Sequence, residues 1–445
     1  MTWQESEKGV FLRPIGENET YNKLVADAGL PLNREHWAIN STATIIPTGS
    51  FVSTDLAAHF RRAWAYLRFE HSSIAAEVAP DNAHFVYTVP ANGAALDAWV
   101  SRTFSPTPYA KLVYIPKSGE LLSHTAHWRS DGIGVLLLLD AFLALAAKLS
   151  SLTDADPTHL DWGTEVVRLT PAIEDAAAVP KKSTPELKKC GAAFVGTFAH
   201  VAGAVGIPYL GNAATLPTGT RNVTVAFSTA ATEKIVKICK ARDISVAAAV
   251  HASVAGANYA LADASARSKH YTSTIRYSLR PYLPEPYSTP AFAAGLYTTG
   301  WMKRVESKAS WEERLQIYQD EYRKGITRDF LDSHREYAAQ LGELIRNLPQ
   351  GGEDQQPSDV DIGNIGIVEK LIRRLYGTSN AGLEVKAVSV GVEILSRQAV
   401  TFVWTFRNQL NFSVVYNESF HLAEQMNQFV STVQSQLLEG LGVQD

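Results

Sequence analysis

The longest apolar run in the chain, GIGVLLLLDAFLALAA from Gly132 to Ala147, admits few placements. It is interrupted by Asp140 and falls short of the ~20 residues that a bilayer-spanning helix needs, so it has to be covered by protein. The stretch just before it, ELLSHTAHW, alternates apolar and polar residues as a strand does. Strand, tight turn and buried helix in succession are the grammar of an α/β fold.

Length and charge narrow the class. With 445 residues, 46% of them hydrophobic, the chain is a globular protein larger than one usual domain, so two lobes are expected. A net charge of −4 gives no electrostatic reason to bind nucleic acid or an anionic membrane surface. Only Cys190 and Cys239 occur, without the CxxC spacing of a metal or redox site, and both read as small buried hydrophobes. The N-terminal stretch MTWQESEKGVFLRPIGENE is charged throughout and has no signal-peptide core, which fits a cytoplasmic protein.

The pattern runs twice. Between Ala43 and Leu149, DLAAHFRRAWAYLRFEH reads as a helix, HFVYTVP and YAKLVYIP as strands, then ELLSHTAHW and the apolar helix follow. Residues 171–219, with VPKKSTPELKK and IPYLGNAATLPTGT, read as a crossover. The order begins again with the strand RNVTVAFS, the helix TAATEKIVKICKARDIS behind a Ser/Thr cap, and the small-residue helix VAAAVHASVAGANYALADA. STIRYSLRPYL follows as a strand, residues 310–348 as amphipathic helix and PQGGEDQQPSDVD as a polar loop. DIGNIGIV is then a strand, AVTFVWTF and LNFSVVYN form a hairpin, and a last helix covers 420–438. The expected domains are 1–170, a linker at 171–219, and 220–445.

Within ELLSHTAHW, strand parity puts Ser123, Thr125 and His127 on one face and Leu122, His124 and Trp128 on the other. His124 and His127 then diverge, which removes a two-histidine metal site and leaves no metal expected. Ser130 and Asp131 are residues that cap a helix N-terminus. A cap explains Asp131 and Gly132 but not an imidazole at the end of the strand. Strand ends beside helix N-termini are where α/β folds present reactive groups, so His127 reads equally as a reactive base or a satisfied core histidine.

HWRSDG resembles the HxxxDG motif of the acyltransferase superfamily that includes chloramphenicol acetyltransferase, the plant BAHD acyltransferases and the condensation domains of nonribosomal peptide synthetases. Around HTAHWRSDGIGVLLLLDAF the chain is most similar to fungal trichothecene 15-O-acetyltransferases. Three more segments carry the likeness in the same order: VTVAFSTAATEKIVKICKARDISVAAAVHASVAGANYA, YSLRPYL and VWTFRNQLNFSVVYNESFH. The resemblance implies two chloramphenicol-acetyltransferase-like lobes, each a mixed β-sheet covered by helices, with a channel between them. His127 matches the family's base, which takes the proton of an alcohol as it attacks an acyl thioester without an acyl-enzyme. Asp131 matches an aspartate that pairs with an arginine of the second lobe, with Arg280 the candidate and Arg276, four residues earlier, the competitor. Gly132 matches the motif glycine.

The implied function is O-acyl transfer, most simply of acetyl, from acetyl-CoA as cosubstrate to a hydroxyl of a small secondary metabolite, a terpenoid alcohol by the nearest resemblance. No permanently bound cofactor is implied, and the expected protein is a monomer. Two alternatives share the fold: a condensation-like enzyme taking its acyl group from a carrier protein, and a cyclase or binding protein without acyl transfer. The BAHD string DFGWG is missing; DIGNIG at Asp361 to Gly366 and VSVGVEI at Val388 to Ile394 are its nearest landmarks. Thr272, Ser273 and Thr274 are weak candidates for an oxyanion donor, since such residues are ordinary in strands. No CoA-binding residue is named.

Overall fold

The computed structural model describes residues 2–101, 110–152, 155–348 and 357–443. It divides into two compact units. Most of the expected loop at 349–361 falls outside the described residues.

The first unit comprises 1–182, 278–298 and 369–390. Its main sheet runs in the order Leu375–Gly377, Ala381–Val392, Ile39–Gly49, Glu120–Thr125, Lys111–Ile115. Ile39 pairs with Thr125 and Asn40 with His124, while Lys111 flanks His124 from the other side. Ile39, Ser41, Ala43 and Ile45 are buried and Asn40, Thr42 and Thr44 half-buried, so the period-2 pattern separates a core face from a more open one. The helix Gly132–Leu149 packs on the strand Ile39–Gly49 and on the helix Leu56–Glu70. At 18 residues it is long and apolar enough to cross a membrane by composition, and more than half of it is buried within the protein. The charge at its middle is bound: Asp140 accepts from Arg373 Nε and Nη2 at 3.0 Å and from the Tyr376 hydroxyl at 2.6 Å. A second sheet, in the order Gln4–Glu7, Val10–Pro14, His84–Thr88, Glu77–Val78, completes the unit.

The second unit comprises 183–277, 299–368 and 391–445. Val360–Ile367 pairs in parallel with Ala399–Phe406, which forms an antiparallel hairpin with Gln409–Asn417, and Thr220–Ala226 closes that sheet. The hairpin turns on Arg407 and Asn408, both at positive φ, as a two-residue loop matching the strand twist requires. Its core centres on the helix Val246–Leu261, whose Ala248, Ala249, Val254 and Ala257 lie against the helix Ala423–Leu441 and the sheet. Small side chains there let the backbones approach closely. Trp404 and Phe406, alternating on the hairpin, are buried packing residues.

The units differ from contiguous lobes at 1–170 and 220–445. Two late segments return to the first unit: 369–390, because Ala381–Val392 extends its sheet, and 278–298, because it carries ligands for Asp131. The crossover holds a capped helix, Pro185–Val195, and the helical region 310–348 is broken after Lys324 at Gly325, where φ is positive.

Candidate active site

The strand carrying His124 ends at Thr125, two residues earlier than its alternation suggests, and His127 to Arg129 form a turn. Parity therefore does not place His127. The turn does, leaving it half-buried immediately before the helix Gly132–Leu149.

Asp131 caps that helix and does more. Its Oδ1 accepts from Gly134 N–H at 2.8 Å, both carboxylate oxygens accept from Arg280 Nη1 at 2.8 Å, and Oδ2 accepts from Tyr297 N–H at 2.8 Å. Arg280 in turn donates through Nη2 to the carbonyls of Ala293 at 3.2 Å and Gly295 at 3.0 Å. Both partners are buried, so the pair is a closed fastener and the carboxylate is fully occupied away from His127. A close approach of backbone falls at Gly134. A Cβ on Gly134 would meet the Ala293 carbonyl, Ser130 Oγ at 2.7 Å and Arg280 Nη2 at 2.8 Å.

The competition between the two arginines resolves by strand geometry. The strand Tyr271–Ser278 ends before Arg280, which sits in a short 3-10 turn within the first unit, not in the second as the family likeness implied. Arg276 stays on the strand and donates to Asp361 Oδ2 at 2.8 Å and to the Ile362 carbonyl. Asp361, the aspartate of DIGNIG, also accepts from Thr274 N–H at 3.0 Å and Thr274 Oγ1 at 2.8 Å.

Around His127 the chain folds back on itself. Trp37, in the turn before the strand Ile39–Gly49, places its ring 6.1 Å from the His127 ring at 53°, and His36 packs on Trp37 at 5.3 Å. Burial and the neighbouring His127 push the His36 imidazole down to about 4. His124 lies on the sheet, its Nδ1 2.9 Å from Asn40 Oδ1; burial, with Lys111 alongside, pushes it down to about 4. The two histidines of HTAH thus serve different neighbourhoods.

The family model described as 15-O-acetyltransferase Tri3 matches residues 113–275. Acetyltransferase pigO of Monascus ruber is 40% identical over all of this chain and 99% of its own length. The chain belongs to the Tri3-type family of fungal acetyltransferases. O-acetyltransferase pigM of the same fungus is 30% identical over 95% of the chain and 84% of its own length. The solved TRI3 trichothecene 15-O-acetyltransferase of Fusarium sporotrichioides, at 15% identity, superposes with a TM-score of 0.81 over 98% of this chain and 97% of that one, a likeness of fold. The protein is accordingly an acyltransferase, an O-acetyltransferase of secondary metabolism at the level the family defines.

Not every candidate of this Tri3-type chain is available for chemistry. Thr272 Oγ1 donates to the His200 carbonyl at 2.9 Å, Ser273 Oγ lies 2.6 Å from His251 Nε2, and Thr274 binds Asp361, so all three hydroxyls serve internal bonds. His251 was not among the residues that motif or spacing singled out. It is fully buried, stacked on Tyr318 at 3.6 Å and bonded through Nδ1 to the Tyr322 hydroxyl at 3.0 Å. Its only sequence signal is an imidazole in the middle of an otherwise small and apolar helix.

Proposed function

We propose that the protein transfers an acetyl group from acetyl-CoA to a hydroxyl of a small secondary metabolite, with His127 as general base. His127 Nε2 or Nδ1 takes the hydroxyl proton as the oxygen attacks the thioester carbonyl carbon. The tetrahedral adduct then expels the CoA sulfur, which takes that proton from the imidazolium, so the enzyme returns unchanged and no acyl-enzyme forms. A neutral imidazole suits this task near neutral pH.

The observation that carries the reading is the occupation of Asp131. With its carboxylate spent on Arg280, Gly134 and Tyr297, the aspartate holds the turn, which supports giving the proton transfer to His127 and not to Asp131. Acetyl as the acyl group follows the names of the relatives.

The test is incubation of the purified chain with acetyl-CoA and a panel of terpenoid and polyketide alcohols, following free thiol and acetylated product. His127→Ala should lower turnover by roughly 10²–10⁴-fold, the usual contribution of a positioned base, with folding retained. Wild-type turnover in His127→Ala, or thiol release without any acetylated alcohol, would overturn the proposal.

A further inference from the structure

His127 acquires a positive charge during the reaction proposed above, and Asp131, the carboxylate nearest in sequence, is fully engaged elsewhere. Arg129, two residues on, turns to the carbonyls of Ser73 at 3.2 Å and Ala76 at 2.5 Å, and Glu35 accepts from the Trp128 indole at 3.4 Å. The Trp37 ring stands beside His127, centroids 6.1 Å apart.

Register explains how it arrives there. Ile39 pairs with Thr125 at the end of an antiparallel ladder, so the turns that hold Trp37 and His127 leave neighbouring strand ends side by side. The arrangement costs strain. Trp37 has a positive φ, a left-handed conformation in which a bulky residue is a true outlier, and such strain persists where surrounding structure over-determines it and clusters at functional sites. Glycine would hold that backbone without strain, yet the position carries the largest aromatic ring. Beside it His36, half-buried against the same indole, is held neutral by burial, so it does not compete for the face of the ring as a cation.

We infer that Trp37 is a positioning residue for the proposed base, its indole fixing the His127 ring and stabilising the imidazolium that forms as the acceptor hydroxyl is deprotonated. The two rings stand 6.1 Å apart at a 53° tilt, and the attraction is that of a cation for the π-electrons of an aromatic ring, for which tryptophan is the best side chain. The inference rests on His127 being the base.

The test compares Trp37→Phe and Trp37→Leu with the wild type in acetyl transfer. All three side chains share the backbone strain at position 37, and leucine keeps apolar cover while removing the ring face. Turnover should fall in the order Trp, Phe, Leu, by about two- to thirty-fold overall, the range of one cation–π contact. KM for acetyl-CoA should stay within about twofold, because the contact acts on the base and strengthens only as charge develops. The acid limb of the kcat/KM profile should move to lower pH in Trp37→Leu, since a less stabilised imidazolium is more acidic. Should Trp37→Leu fail to fold, stepwise fluorination of the Trp37 indole keeps its shape, and turnover should fall with each fluorine. Wild-type turnover and an unmoved acid limb in Trp37→Leu, or a flat fluorination series, would overturn the inference. If His127→Ala keeps full activity the base assignment itself fails, a result obtained without touching Trp37; an inactive His127→Ala beside an indifferent Trp37 sinks this inference alone.

Discussion

Asp131 and Arg280, 149 positions apart in the chain, form a buried ion pair whose worth lies in being intact. Desolvating both charges offsets most of their attraction, whereas removing one leaves the other buried without its partner at ~3–5 kcal/mol. Asp131→Asn and Arg280→Ala should each lower the urea midpoint and activity together, and the double variant should lose less than the two singles combined. Strictly additive losses in that cycle would show that the two residues do not act as a pair. His124 offers the contrast at the same scale. Asn40 Nδ2 donates to the Ala38 carbonyl at 3.4 Å, which leaves Oδ1 to accept from His124 Nδ1–H, and the sheet holds that imidazole neutral at about 4. His124→Ala should therefore keep turnover within a few-fold of wild type while lowering thermal stability. A loss as large as that of His127→Ala would assign the chemistry to the wrong histidine.

The helix Gly132–Leu149 shows which part of an element can be read from its residues and which cannot. Its existence, its burial and its Asp131 cap follow from composition and local chemistry alone, because an apolar run behind a capping residue has one stable use. The motif singles out Asp131 through resemblance, and YSLRPYL offers Arg280 for its partner with Arg276 still in competition. The illegible part depends on residues far away in sequence. Asp140 is explained only by Arg373 and Tyr376, the strand Ala381–Val392 only by its place in the sheet with Ile39–Gly49, and the approach of Trp37 to His127 only by the pairing of strand ends that brings their two turns together. Parity misleads at His127 for a related reason: a strand's end is set by the residues after it, here a turn that must deliver Asp131 to Arg280. Gly134 carries a testable consequence. Alanine is the better helix former by about 1 kcal/mol, so Gly134→Ala would stabilise an unconstrained helix. Here the added methyl meets the Ala293 carbonyl and the Arg280 guanidinium, and the variant should melt below wild type by circular dichroism. A raised melting temperature would mean that the turn has room to yield.

Across the whole molecule, titration is dominated by groups that folding has stripped of water. Burial holds His36, His71, His124 and His334 down at about 4, and His251 at about 3, so imidazoles in both units stay neutral well below their ordinary value. An imidazole whose folded pKa is depressed contributes stability that is complete above the unfolded value of about 6.5 and is lost as pH falls toward the folded one, because the unfolded chain takes the proton first. Glu174 and Asp359 work the other way. Burial first, then neighbouring carboxylates, raise both to about 7, so they keep a proton that the unfolded chain gives up near pH 4, and their contribution fades as pH rises toward 7. Between pH 4.5 and 6.5 five of these imidazoles oppose two carboxyls, and through these seven groups the unfolded state binds on the order of three more protons than the fold. That difference corresponds to a ceiling of ~4 kcal/mol lost per pH unit on acidification. From pH 7 to 8 the last protons leaving the imidazoles of the unfolded chain and those leaving the two carboxyls of the fold nearly offset one another. Urea unfolding followed by tryptophan fluorescence should accordingly give a nearly constant midpoint from pH 7 to 8 and a steep fall between pH 6.5 and 5. A midpoint that holds or rises on acidification through that window would mean that the buried imidazoles carry protons in the fold, and with them a different set of partners from the one described for His124 and His251.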